Sequence, residues 1–119
     1  MNDEQSILAL LEEAGQENLL TVLNTVFAGT QNPNESVRRF SDAVDSLASK
    51  DAINVKTSGK SIYNKGFEIG GAGFVNALFD EKYFDWEQTS SEFVWLRDSN
   101  VPEVEITDKG IKWFFESLR

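Results

Sequence analysis

Five cations in the middle of this chain, Arg38, Arg39, Lys56, Lys60 and Lys65, have the types and spacing to meet phosphate. Arginine can grip guanine or a phosphate in a bidentate bond, and lysine meets backbone phosphate as a point charge. They matter because the whole chain is acidic, with a net charge of −9. Such a chain is repelled by nucleic acid unless its positive charge is gathered in one place. Residues 38–65 do gather it, holding Arg38, Arg39, Lys50, Lys56, Lys60 and Lys65 against Asp42, Asp45 and Asp51. Residues 1–37 contain no Lys or Arg, and residues 66–119 are again acidic. The competing account is a solvated surface, with Arg38 and Asp42 as an i, i+4 ion pair worth at most about 0.5 kcal/mol.

Catalytic chemistry finds few carriers. With no His and no Cys, the Ser-His-Asp triad, the thiolate nucleophile, disulfides and the usual zinc ligands are all excluded. Asp80-Glu81, and Asp85 with Glu87, could pair on a divalent cation. Adjacent carboxylates diverge on a helix, however, and no Asp/Asn-Gly spacing of a calcium loop surrounds them, so a solvated acidic face is expected. Ser58-Gly59-Lys60-Ser61 looks like the end of a phosphate-binding loop, yet Asn54 stands where that loop needs its first Gly, and SIYNKG does not open a helix. The Gly70–Gly73 run lacks dinucleotide-binding spacing and is expected to turn or to pack closely. The expectation is a non-enzymatic protein with no catalytic residues, no metal and no cofactor.

These side chains need a frame, and the apolar spacing describes one. A first helix is expected from Gln5 to Ala14, with Asn2 and Gln5 as a capping box and Gly15 as its stop. A second starts near Glu17 and ends at Gly29, burying Leu19, Leu20, Leu23, Val26 and Phe27. Asn32-Pro33-Asn34-Glu35 opens a third, running to about Ser49, in which Val37, Phe40, Val44 and Leu47 face inward and Arg38, Arg39, Asp42, Asp45 and Ser46 outward. Ile53 and Val55 begin a short strand. Five glycines make residues 57–91 turn-rich, with a short helix expected after Gly73. Phe93–Leu96 and Val104–Ile106 read as partner strands across an Asp98-Ser99-Asn100 turn. Thr107 caps a last helix packed through Ile111, Phe114 and Leu118.

Two stretches resemble a known family. FSDAVDSLASKDAINV resembles the end of a winged-helix recognition helix running into its first wing strand. VEITDKGIKWFFESL resembles the second wing strand and C-terminal helix of MarR- and PadR-like regulators. The resemblance spans residues 36–55 and 104–118 and implies a winged helix-turn-helix: an α+β fold of three N-terminal helices, a small antiparallel sheet, an inserted segment at about 57–91 and a C-terminal helix. It departs from the family in that insertion, and in Ala52 where Gly is common.

At 119 residues, with 40% hydrophobic and 26% charged side chains, one folded domain spanning 1–119 is expected. No apolar run is long enough to span a bilayer, and the acidic N-terminus lacks a basic leader, which points to the cytoplasm. Two functions remain open. The first is a homodimeric DNA-binding transcription regulator, with the helix at 33–50 in the groove and Lys56, Lys60 and Lys65 on the backbone. The second is an acidic protein-interaction module, an adaptor or inhibitor on the same scaffold.

Overall fold

The computed structural model describes residues 1–57 and 68–119, and local capping signals set its helices. Helix α1 (Asp3–Ala14) opens on a reciprocal box in which Gln5 N donates to Asn2 Oδ1 and Asn2 N donates to Gln5 Oε1, and it stops at Gly15 with φ 77°. Asn18 caps α2 (Leu19–Val26), and Asn32 caps α3 (Pro33–Ser49) with Pro33 in its first turn. Helix α4 (Phe74–Asp80) starts at Gly73, whose N–H donates to both carboxylate oxygens of Asp45 on α3 at 2.9 and 3.1 Å. Thr107 Oγ1 accepts from Gly110 N at 3.0 Å to start α5 (Asp108–Ser117).

Among the described residues five short strands, β1 (Gln16–Asn18), β2 (Ile53–Lys56), β3 (Phe84–Glu87), β4 (Glu92–Trp95) and β5 (Glu103–Ile106), form two antiparallel sheets. One has the order β1-β5-β2 and the other is the hairpin β3-β4. This corrects the expected pairing of Phe93–Leu96 with Val104–Ile106. Val104 instead lies between Glu17 of β1 and Val55 of β2, while β4 takes β3 as its partner. The cause lies in the side chains. Phe84 and Trp86 alternate with Asp85 and Glu87, so β3 offers an aromatic face that matches Phe93 and Trp95, with Trp86–Phe93 ring centroids 5.0 Å apart and Phe84 stacked on Trp95 at 6.5 Å. Glu17 likewise starts no helix, because the free edge of β5 draws Gln16–Asn18 into the sheet. The chain thus leaves the three-stranded sheet after Lys56 and rejoins it at Glu103, a longer excursion than 57–91.

One buried cluster joins all these parts. Val37, Phe40, Val44 and Leu47 of α3 face it as their spacing predicted, together with Ile7, Leu8 and Leu11 of α1 and Phe74, Val75 and Leu78 of α4. The hairpin contributes Phe84 and Phe93, and Asn24 of α2 holds its outer edge by donating to Phe93 O and accepting from Phe93 N, a substitute for a ladder partner. Arg97 ties the hairpin to the end of α4 through the carbonyls of Glu81 and Lys82 and lies over the Tyr83 ring at 4.4 Å.

Helix α5 departs from its expected packing. Phe114 and Gly110 are buried, but Ile111 and Leu118 are 37% and 49% exposed, as is Phe115 at 49%. The inward face is set by Gly110, which lies against the Ala52 backbone. A Cβ there would overlap the Ala52 carbonyl oxygen and press on Ile106 Cγ1 at 2.9 Å.

Candidate functional site

Of the five cations singled out by type and spacing, Lys60 and Lys65 lie outside the described residues, as does the Ser58–Ser61 motif. Arg38 and Arg39 sit on the solvent side of the first two turns of α3, the position from which a helix could reach a groove. Neither presents bare charge. Arg38 is held by Glu35, three residues before it, and by Asp42 at 3.5 Å, four residues after. Arg39 meets Asp3 of α1 at 2.6 Å and also lies over the Phe27 ring at 5.1 Å. The hydrogen bonds to Glu35 and Asp3 raise both guanidiniums above their ordinary pKa.

Lys56 on β2 repeats the pattern. Its Nζ lies 2.7 Å from Glu105 on the neighbouring strand, and that hydrogen bond holds Glu105 below the usual carboxylate range. At the other end of α3, Lys50 reaches Glu4 at 2.9 Å and covers the Trp113 ring at 4.3 Å. Burial pushes the Glu4 carboxyl up, but hydrogen bonds from Lys50 and Ser46 outweigh it and leave the group depressed. The shallow groove between α1 and α3 is lined by Asp3, Glu4, Asp42, Arg39 and Ser46, three carboxylates to one guanidinium. Each exposed pair is weakened by solvent and can be broken by a stronger ligand. The carboxylates nevertheless stay beside the cations, so phosphate approaching α3 would meet no net positive field.

Two of the four carboxylates considered for metal or acid–base work, Asp85 and Glu87, have local duties. Asp85 accepts from Lys82 Nζ at 3.1 Å and from Trp86 N at 2.8 Å, and the Lys82 bond leads in lowering its pKa. Glu87 closes the hairpin loop by accepting from the backbone of Thr89 and Ser90 and from the Ser90 hydroxyl. Asp80 and Glu81 are solvent-exposed at the end of α4. Among the described residues, no three acidic groups converge to hold a metal, and no helix is long and apolar enough to cross a membrane.

The surface that spacing alone did not reveal is the outer face of α5. Ile111, Phe115 and Leu118 recur at steps of four and three and fall within an arc of about 60° at 3.6 residues per turn. Among the described residues Met1 and Leu96 are the other exposed large apolar side chains, so α5 holds three of the five on one line. The signal was present in the sequence as five apolar positions, 111, 113, 114, 115 and 118, more than a single inward face of this short helix requires. No family model, curated protein or solved structure matches this chain.

Proposed function

We propose that this chain is a non-enzymatic binding protein on a winged-helix scaffold, and that it meets protein rather than duplex DNA. The scaffold reading draws support from the element order, helix, strand, two helices and strand, with the last strand β5 seated between β1 and β2. A fold brings no activity with it, so function rests on surfaces. The observation that carries the proposal is the α5 face, an apolar line left open to solvent on an otherwise strongly charged protein. The state of Arg38, Arg39 and Lys56 agrees with it, because each is matched by a carboxylate.

The DNA-binding regulator is the second reading, favoured by one feature: Arg38 and Arg39 are exposed near the start of the helix that precedes β2. A titration of labelled generic duplex decides between them. No binding is expected at about 50 mM salt, where a protein touching several phosphates would bind most tightly. Binding that falls steeply with salt and is lost in an Arg38→Ala/Arg39→Ala variant would overturn the protein-binding proposal in favour of the regulator.

A further inference from the structure

The geometry of α5 points to a specific occupant for its open face: we infer that it pairs antiparallel with the same face of a second copy of this chain. The inference rests on reading that face as a contact surface. Along one edge of the Ile111–Phe115–Leu118 line stand Asp108, Lys112, Glu116 and Arg119, spaced four, four and three, so the edge alternates negative, positive, negative, positive. When two identical helices pack antiparallel about a two-fold axis, each edge faces itself in reverse, because residue i meets j and j meets i. Reversed, this edge reads positive, negative, positive, negative. Asp108 then faces Arg119 of the second copy and Lys112 faces Glu116, and both pairs are served by one axis crossing the helix close to residue 114.

The monomer leaves these charges idle. Among the described residues, Asp108, Lys112, Glu116 and Arg119 enter no ion pair. Every other described lysine and arginine is held by a carboxylate or, for Arg97, by main-chain carbonyls. The two unengaged cations therefore flank the exposed apolar line of α5. Each copy carries −9, so the apolar line supplies the attraction and the edge fixes orientation. A parallel pair would not bring this edge against its own complement. One helix pair of three turns buries about 1,000 Å², the low end for a specific interface, so a dissociation constant on the order of micromolar is expected.

Sedimentation velocity across roughly 1–500 µM tests this, since that range brackets a micromolar equilibrium. Wild type should pass from monomer to dimer. Phe115→Asp should weaken the dimer at least about tenfold while far-UV dichroism stays unchanged, because a half-exposed residue is not needed for folding. Lys112→Glu and Glu116→Lys should each weaken association about fivefold or more, and the double swap, which restores opposite charges at 112 and 116 across the axis, should recover it to within about twofold. The chain has no cysteine, so single substitutions report register: Phe115→Cys, near the axis, should oxidise to a cross-linked dimer faster than Leu118→Cys. A wild type that stays monomeric throughout, a dimer indifferent to Phe115→Asp, or a double swap as weak as its parents would overturn the inference. A monomeric wild type would leave the protein-binding proposal standing, since that proposal is decided by the duplex titration.

Discussion

Gly110 is the residue on which the joint between the sheet and α5 depends. Its position against Ala52 lets Thr107 donate through its N–H to Ala52 O at 3.0 Å and through its hydroxyl to Asp51 O, so two residues of one motif lock onto the turn after α3. Gly110→Ala should cost roughly 3 kcal/mol, at the upper end of overpacking because the obstacle is backbone rather than a movable side chain. Urea unfolding measures it, and a loss under about 1 kcal/mol would mean that the close approach relaxes freely. The Thr-Asp-Lys-Gly step announced this site in the sequence, since a cap and a glycine three residues on are local signals. What the sequence withheld was the division of labour on α5. Ile111, Phe114, Phe115 and Leu118 are all apolar, and only the position of Ala52, far away in the chain, decides that Phe114 turns inward while the other three stay out.

Among elements, helix starts were legible except that of α2, which begins at Leu19 rather than near Glu17 and ends at Val26 rather than Gly29. Strand partners were not legible. Asn2 with Gln5, Asn32 with Pro33, and Thr107 act within a turn of themselves and could be read directly. Gln16-Glu17-Asn18 has no strand-forming character and becomes β1 only because β5 lies beside it. The β3-β4 hairpin was hidden because its loop, Gln88 to Ser91, contains no glycine and Ser91 itself adopts φ 54°. Two helices end in the same economical way. After α3, Ala52 N donates to Leu47 O and Asp51 N to Ala48 O. After α4, Tyr83 N donates to Leu78 O and Lys82 N to Phe79 O. In both motifs the left-handed position is filled by a residue with a Cβ, Asp51 at φ 57° and Lys82 at φ 60°. Asp51→Gly and Lys82→Gly should each stabilise the protein by about 0.5 kcal/mol, read as a higher urea midpoint at unchanged slope. Their ion pairs, with Lys109 and Asp85, are exposed and subtract little.

For the molecule as a whole, the charge pattern predicts an unusually simple response to pH. With no histidine, no side chain of ordinary pKa titrates between about pH 5.5 and 8, so stability should be flat there. Below that plateau Glu4, Asp85, Glu87 and Glu105 matter, because each is held below its ordinary value in the folded state. The unfolded chain then binds more protons than the folded one. Their contribution is complete above about pH 5 and drains away as pH falls through 4. Urea midpoints measured from pH 8 to 3 should show a plateau and then a decline. A slope between pH 6 and 8 would contradict this account.

The placement of β5 also constrains the order in which the protein can be made. It is the middle strand of its sheet, yet it is built from residues 103–106, and its partner β1 comes from residues 16–18. During synthesis β1 and β2 therefore emerge with nothing to pair with. Gln5 likewise waits for Ser117, to whose carbonyl and hydroxyl its side-chain amide donates. Until Ile106 has left the ribosome the sheet cannot close, and the nascent chain holds two short strands with open edges. Such a sheet should close only once residues 103–106 are free to pair, and its early strands depend on whatever shields those edges in the interval.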